Sequence, residues 1–221
     1  MTVSIENFIK AVYMQSKLPN ADTKLGTIAG ILNISNAAAT DMARKLATKK
    51  LVIYTKYKPL ALTNSGSKLA LNVIRKHRLW EAFLHKTLNL SLHEIHLEAE
   101  ELEHITSDFL ADKIEQYLDY PSTDPHGDPI PKLNGNIETD KTQMLLSKAD
   151  AGSFYEISRL FSSEKDFFEF CTANNIVVGA TIWVEKQYDA TKMTAIKINE
   201  NKILLNESFT NIIYVKQLIN A

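Results

Sequence analysis

Apolar residues recur at helical spacing from the start of the chain. Within IENFIKAVYMQS, Ile5, Phe8, Ile9, Val12 and Tyr13 fall on one face and predict an amphipathic helix over residues 5–16. A turn rich in Pro, Asn and Asp follows. The stretch TKLGTIAGILNISNAAATDMARKLATKKLVIY then predicts a short helix around 24–32, a turn at 33–35 and a second helix from about Asn36 to Lys49. Ser35 and Asn36 are good N-cap types, and Ile28, Leu32, Ala39, Met42 and Leu46 supply the apolar face. In LVIYTKYKPLALT the period shortens to that of strands, giving two β-prone runs about a Lys-Tyr-Lys-Pro tip.

Helical periodicity returns in a long helix over about 64–87, capped by Thr63 or Asn64, and in one or two helices over 93–118. The segment DYPSTDPHGDPIPKLNGNIETD is dense in Pro, Gly, Asp and Asn and reads as a linker or ordered loop. The last 75 residues alternate β-prone runs (FYEIS, ATIWVEK, MTAIKIN, KILL, NIIYVKQL) with one short helix near 164–174. The predicted architecture is a mainly α N-terminal two-thirds followed by a small C-terminal SH3-like β-barrel. The expected domains are residues 1–63, 64–142 and 143–221.

Composition adds limits. With 45% apolar residues in 221, the chain can bury an ordinary globular core. No run approaches the roughly 18 apolar residues of a membrane helix, and MTVSIENFIK has no apolar leader core, so a cytoplasmic protein without membrane contact is expected. The single cysteine, Cys171, lies away from the histidines in sequence and is expected to be a small buried apolar residue. The net charge of −1 conceals a division: residues 1–78 carry +10 and the remainder −11. A basic module joined to an acidic remainder points to nucleic acid as the partner of the N-terminal part.

Two short helices joined by a turn make the helix-turn-helix pattern, and with the first helix and the hairpin they resemble a winged helix-turn-helix domain. In that arrangement Ser35, Asn36, Ala37, Ala38, Thr40, Asp41 and Arg44 of the second motif helix face DNA, and Lys56 and Lys58 of the wing meet phosphates. Asp41 is unfavourable beside phosphate, and a cytosine amino group is its obvious favourable contact.

HLEAEELEHITSD sets two histidines among glutamates. On a helix His96, Glu100, Glu103 and His104 stand at offsets 0, 4, 7 and 8, within an arc of roughly 100°. Beside them Ile95, Ala99, Leu102 and Phe109 form an expected apolar stripe. A solvated acidic face is the ordinary meaning of a charge run, but converging imidazoles and carboxylates are what a divalent cation requires. His77 and Glu81 also share a helix face, whereas His85 and His93 have no partner at ligand spacing.

The helix-turn-helix, RKHRLWE, IHLEAEELEH and DPHGDPIP occur in this order, and the chain resembles the diphtheria toxin repressor family of metal-dependent regulators, especially its manganese transport regulators. The resemblance covers nearly the whole chain, including a C-terminal SH3-like (FeoA-like) domain. It implies a primary metal site of Asn7, Glu100, Glu103 and His104, and an ancillary site of His77, Glu81 and His96 joined by Glu164. A further C-terminal contributor falls on Phe167, which cannot ligate, leaving water or Asp166 in its place. Glutamate at 100, where iron-responsive members have cysteine, favours Mn²⁺ first and Fe²⁺ second, with Zn²⁺ and other divalent ions able to bind in vitro. Asn7 stands where manganese sensors usually have aspartate and iron sensors methionine. Lys10 stands where some manganese regulators have a glutamate that helps hold a second ion, so a binuclear site is not expected.

The resemblance further implies a homodimer formed through the helical domain on a palindromic, double-stranded operator of metal-uptake genes, with no small-molecule substrate. The expected mechanism is a metal clamp that fixes the first helix against the helical domain. Two alternatives are a winged-helix regulator without metal dependence and a metallohydrolase. The second lacks an H-E-x-x-H motif or any nucleophile arrangement, and no enzymatic activity is expected.

Overall fold

The computed structural model describes residues 1–18, 20–138 and 140–218. The chain divides into two compact units. One comprises residues 1–77, 100–111 and 131–137, and the other 78–99, 112–130 and 138–221.

In the first unit, α1 (Val3–Ser16), α2 (Leu25–Ile31) and α3 (Asn36–Thr48) precede a hairpin of β1 (Val52–Ile53) and β2 (Ala61–Leu62). The helix α3 starts where it does because Ser35 Oγ accepts the Ala38 N–H at 3.1 Å, satisfying one of the donors a helix N-terminus leaves open. Ile5, Phe8, Ile9 and Val12 of α1 pack with Ile28, Ala39, Leu46 and Val52 in one buried cluster. The expected apolar face is thus formed, with Leu32 and Met42 only partly buried. The wing is shorter than its β-prone runs, with two residues per strand, Val52 opposite Leu62 and Ile53 opposite Ala61.

The helix α4 (Asn64–Leu88) follows directly. Thr63 Oγ1 accepts the Gly66 N–H at 3.0 Å, so Thr63 supplies the cap. A Cβ on Gly66 would lie 2.0 Å from the Leu51 carbonyl oxygen, so glycine lets the first turn rest on the base of the wing. The expected stripe on the next helix is interrupted. α5 (Leu92–Ile105) ends before Phe109, which belongs to α6 (Asp108–Tyr117) and is 70% exposed, while Ile95 and Ala99 are fully buried. The break arises at Ser107, whose Oγ accepts the Leu110 N–H at 3.1 Å and starts a new helix. Lys76 and Asn72 of α4 bind Asp108 at 2.8 and 3.1 Å, and these hydrogen bonds, Lys76 first, hold its carboxyl below the usual range.

The second unit contains an antiparallel sheet in the order β3-β8-β4-β5-β6-β7, made of Met144–Leu145, Ile213–Gln217, Ser153–Leu160, Thr181–Tyr188, Met193–Ile198 and Asn201–Asn206. α7 (Lys165–Ala173) packs Phe167, Phe168 and Cys171 into the same core as Tyr155, Ile157, Val184, Ile196 and Val215. Cys171 is buried as expected, and burial pushes its thiol up to about 12. Among the described residues β3 and β7 remain edges, so the sheet is not closed into the expected barrel. The reason is local: β3 pairs with β8 over two residues and then turns into a short 3₁₀ helix at Leu146–Lys148, leaving little strand to pair further.

The Pro- and Gly-rich segment is an ordered loop. Leu160 N–H donates to the His126 carbonyl at 2.8 Å, and Gly127 adopts φ +86° with its Cα so close to β4 that a Cβ would lie 2.1 Å from Ser158 O. Gly127→Ala combines an unfavourable φ with a backbone clash and is expected to lower the unfolding free energy by about 2–4 kcal/mol. Urea titration checks this, and an unchanged midpoint would show that the loop can move away freely.

Candidate metal centre and DNA-binding face

Three helices of the first unit converge on Glu103. It lies on α5 and is buried, and its two carboxylate oxygens face different neighbours. Oε2 lies 2.7 Å from Lys10 Nζ on α1 and 2.7 Å from His77 Nδ1 on α4. The same ammonium donates to Glu100 Oε1 at 2.6 Å and stands 3.3 Å from His77 Nδ1. His77, Glu100 and Glu103 present ligand atoms that all lie within 4.8 Å of one another.

The other oxygen, Oε1, faces a different set. His104 Nε2 is 3.3 Å away, and neither atom has a hydrogen-bond partner although both are buried. Asn7 Oδ1 on α1 is likewise buried without a partner. The His104 tautomer follows from its other nitrogen, since Nδ1 lies 2.7 Å from Glu6 Oε2 and carries the proton in that hydrogen bond. In the neutral ring Nε2 then presents a lone pair. Lone pairs buried with no donor are costly, roughly 1–3 kcal/mol each, unless a cation receives them. The donor set of amide oxygen, carboxylate oxygen and imidazole nitrogen fits a borderline or hard divalent metal.

A second cluster lies in the other unit. Glu81, Asp124 and His126 are all buried and offer ligand atoms within 4.8 Å of one another. His126 Nε2 donates to Leu92 O at 3.1 Å, which turns Nδ1 toward Glu81 Oε1 at 3.6 Å and Asp124 Oδ1 at 3.9 Å. His96 Nδ1 is 3.3 Å from Glu81 Oε1. Burial, reinforced by the charges of Glu81 and Asp128, pushes the Asp124 carboxyl well up, while Arg78 and His126 oppose the rise. Burial alone would push the His126 imidazole down; the hydrogen bond and charge of Glu81, with Asp124 and Asp128, outweigh it and raise it. Arg78 lies 3.6 Å from Asp124 and 3.1 Å from Asp128, and Arg159 reaches Asp128 at 2.6 Å, so the acidic loop is held from two sides.

The residues expected from sequence thus distribute as follows. Glu103 and His104 come together, with Glu100 drawn to Lys10, and Asn7 Oδ1 is buried on α1. His77 joins Glu100 and Glu103 within the first unit, whereas Glu81 and His96 meet in the second. Glu164 is exposed at the N-cap of α7 and is absent from the ligand groups found among the described residues. Sequence reasoning passed over Glu6, Asp124 and His126. The two loop residues sit in DPHGDPIP, whose buried aspartate and histidine were a signal, while Glu6 carries none because its partner is 98 positions away.

On α3, Asn36, Ala37, Ala38, Asp41 and Arg44 are exposed and Thr40 is half-buried, its hydroxyl donating to Asn36 O at 2.7 Å. Asp41 lies 3.8 Å from Arg44, both exposed, so the acid is partly compensated within the helix. Lys56 and Lys58 are exposed at the wing tip, and Lys56 Nζ lies over the Tyr57 ring at 4.8 Å.

Residues 1–60 match the model of the iron dependent repressor N-terminal DNA binding domain, and residues 63–132 match the iron dependent repressor metal binding and dimerisation domain. A crystal structure of ScaR with bound Zn²⁺ is 31% identical, covers 97% of this chain and 99% of its own, and superposes with a TM-score of 0.82. The chain belongs to the diphtheria toxin repressor family. A manganese-dependent transcriptional repressor in complex with manganese gives a TM-score of 0.89 at 27% identity, covering 97% and 100% of the two chains. The diphtheria toxin repressor of Corynebacterium glutamicum is 34% identical over 114 residues, 52% of this chain, and the match spans about half of that relative's length. The family is one of metal-dependent transcriptional repressors, not enzymes. Among the described residues no helix is long and apolar enough to cross a membrane.

Because Glu6 is hydrogen-bonded to the His104 ring, Glu6→Ala is expected to weaken divalent-metal binding by about 10- to 100-fold while leaving the fold intact. Isothermal titration calorimetry checks this. An unchanged affinity would mean that the hydrogen bond does not set the ligand.

Proposed function

We propose that the chain is a repressor that responds to Mn²⁺, with Fe²⁺ as the alternative, and binds a palindromic operator of metal-uptake genes in the cytoplasm as a homodimer. The observation that carries this reading is the set of three buried, unpartnered atoms, Asn7 Oδ1 from α1 with Glu103 Oε1 and His104 Nε2 from α5. A regulator without metal dependence would gain stability by pairing or exposing these groups. A bound divalent cation supplies the positive charge toward which all three lone pairs can point.

The chain's own residues do the rest. Asn7 lies on α1, which packs against α2 and the wing, so holding Asn7 to α5 holds the DNA-binding helices in one orientation. A differential stabilisation of a few kcal/mol between orientations suffices for a large change in DNA affinity. Asn36, Ala37, Ala38, Asp41 and Arg44 are placed to meet base edges, with Ser35 and Thr40 at the start of the same helix, and Lys56 and Lys58 to meet phosphates. Exposed Ile105, Phe109 and Leu110, where α5 gives way to α6, offer an apolar surface for a second copy. The C-terminal sheet is read as an SH3-like module of open form.

Glu81, Asp124 and His126 support a second cation-binding cluster, because two buried carboxylates facing an imidazole Nδ1 are poorly stable without a proton or cation between them. Of the ancillary set inferred from sequence, Glu81 is shared with this cluster and His96 borders it.

Fluorescence anisotropy on the DNA upstream of the chain's own gene tests the reading, with chelator, Mn²⁺, anaerobic Fe²⁺ and Zn²⁺ in turn. The wild type is expected to tighten with Mn²⁺ or Fe²⁺. His104→Ala is expected to lose that stimulation while its chelated form melts like the chelated wild type; equal binding with chelator and metal would sink the proposal. Lys56→Ala is expected to weaken binding evenly across sequences and reduce the salt slope by about 1, and a sequence-dependent loss would place Lys56 on a base instead.

A further inference from the structure

The second unit contains a cavity that lies beside the Glu81 cluster and shares only Asp124 with it. Its volume is about 700 Å³, within the range of roughly 300–1,000 Å³ that holds small organic ligands. It opens between the end of α4, the start of α5, the loop after α6 and the loop after α7. Leu90, Leu92, Leu118, Pro121, Val177 and Val178 make its apolar wall. Leu118 is 7% exposed, whereas the adjacent Val177 and Val178 are 43% and 37% exposed, so apolar surface runs from the floor to the mouth. Such a concave wall gains free energy when an apolar ligand covers it.

The charged groups of the wall are few, and one of them faces away. Among the described residues lining the cavity, Asp124 is the single acid. Its Oδ1 accepts the N–H groups of His126 and Asp128, both at 2.9 Å, and its Oδ2 lies 3.6 Å from Arg78 Nε. Lys86 is the single formal cation; it is exposed and forms no ion pair among the described residues. Asn89 lines the cavity three positions further on, in the left-handed region at φ +54° where α4 has ended. His85 Nδ1 donates to Leu90 O at 2.9 Å, which fixes that ring in the same wall. The start of α5 adds no further anion site, because Glu94 Oε2 already takes the Ser91 N–H at 2.8 Å and the Ser91 hydroxyl at 2.6 Å.

We infer that this cavity is a binding site for an amphipathic monocarboxylate, its hydrocarbon body against Leu118, Val177 and Val178 and its carboxylate at Lys86 and Asn89. One ammonium without an acid calls for one negative charge, and a carboxylate accepts from an ammonium and an amide N–H together. A cationic ligand meets like charge at Lys86, and a neutral one leaves the ammonium uncompensated. The inference stands apart from the metal-centre reading, because none of Asn7, Glu103 and His104 lines the cavity. An occupant does touch the Glu81 cluster through two walls: Asp124, and Leu92, whose carbonyl receives the His126 Nε2 hydrogen at 3.1 Å. Metal-free protein is therefore the state to test, so that binding is read without a change of ion at that cluster.

The test uses the full chain in chelator, with isothermal titration calorimetry and thermal melting, and octanoate, 1-octanol and octylammonium as probes of one chain length. Octanoate is expected to bind saturably at one site per chain, octanol about fivefold more weakly, and octylammonium not measurably. From hexanoate to octanoate each added methylene is expected to tighten binding about fourfold. Lys86→Ala is expected to reduce octanoate to the affinity of octanol. Val178→Trp, which fills the mouth, is expected to abolish binding of both. Each variant changes an exposed side chain, and an unaltered metal-free melting curve verifies its fold. If Val178→Trp melts early, Val177→Trp takes its place; if both do, nuclear Overhauser contacts from octanoate to the Val177 and Val178 methyl groups decide, and their absence overturns the location. Equal binding of octanoate and octanol to the wild type, or octanoate binding unaltered in Lys86→Ala, overturns the carboxylate assignment. Absence of saturable octanoate binding, or binding untouched by a folded valine variant, overturns the site.

Discussion

A buried carboxylate with two faces organises the first unit. Glu103 is buried, and α1 brings the Lys10 ammonium within 2.7 Å of one of its oxygens. The other oxygen lies 3.3 Å from His104 Nε2 and has no hydrogen-bond partner among the described residues. The position of α1 against α5 is therefore set in part by the bonds of Lys10 to Glu100 and Glu103. Since α1 is also packed into the core shared by α2, α3 and the wing, this electrostatic requirement reaches the DNA-binding helices through ordinary side-chain packing.

The second unit meets the same requirement in a different way. Asp128 is held by Arg78 and Arg159, and Asp124 by Arg78, so much of the acidic loop is compensated by guanidinium groups with many donors and fixed geometry. Glu81 is shared between His96 and His126 instead. Imidazole can be neutral or charged, whereas the guanidinium groups stay charged, so the two sides of the loop are compensated by groups of different chemistry. Gly127 makes the arrangement possible by allowing the loop to run against β4 without a side chain in between.

The contrast between legible and illegible features follows interaction range. The helix-turn-helix could be read from its spacing and from the Ser35 cap, because both act within a few residues. The end of α5 was misplaced because the periodicity of Ile95, Ala99 and Leu102 continues formally to Phe109, while a hydrogen bond from Leu110 to Ser107 breaks the helix. The strand runs of the C-terminal part were also legible, but not whether the sheet closes, since that depends on pairing between edges far apart in sequence.

The sequence by itself determined the alternation of helices and strands, the basic N-terminal module and the acidic remainder, and the helical spacing that puts Glu100, Glu103 and His104 on one face. These are properties of residue type and of offsets smaller than about three helical turns. Only the tertiary structure decided which partners those groups meet: Lys10 rather than a ligand at Glu100, Glu6 behind His104, and Asp124 with His126 beside Glu81. Such pairings join residues 43 or more positions apart, where no local rule operates and the balance of burial and charge selects the neighbour.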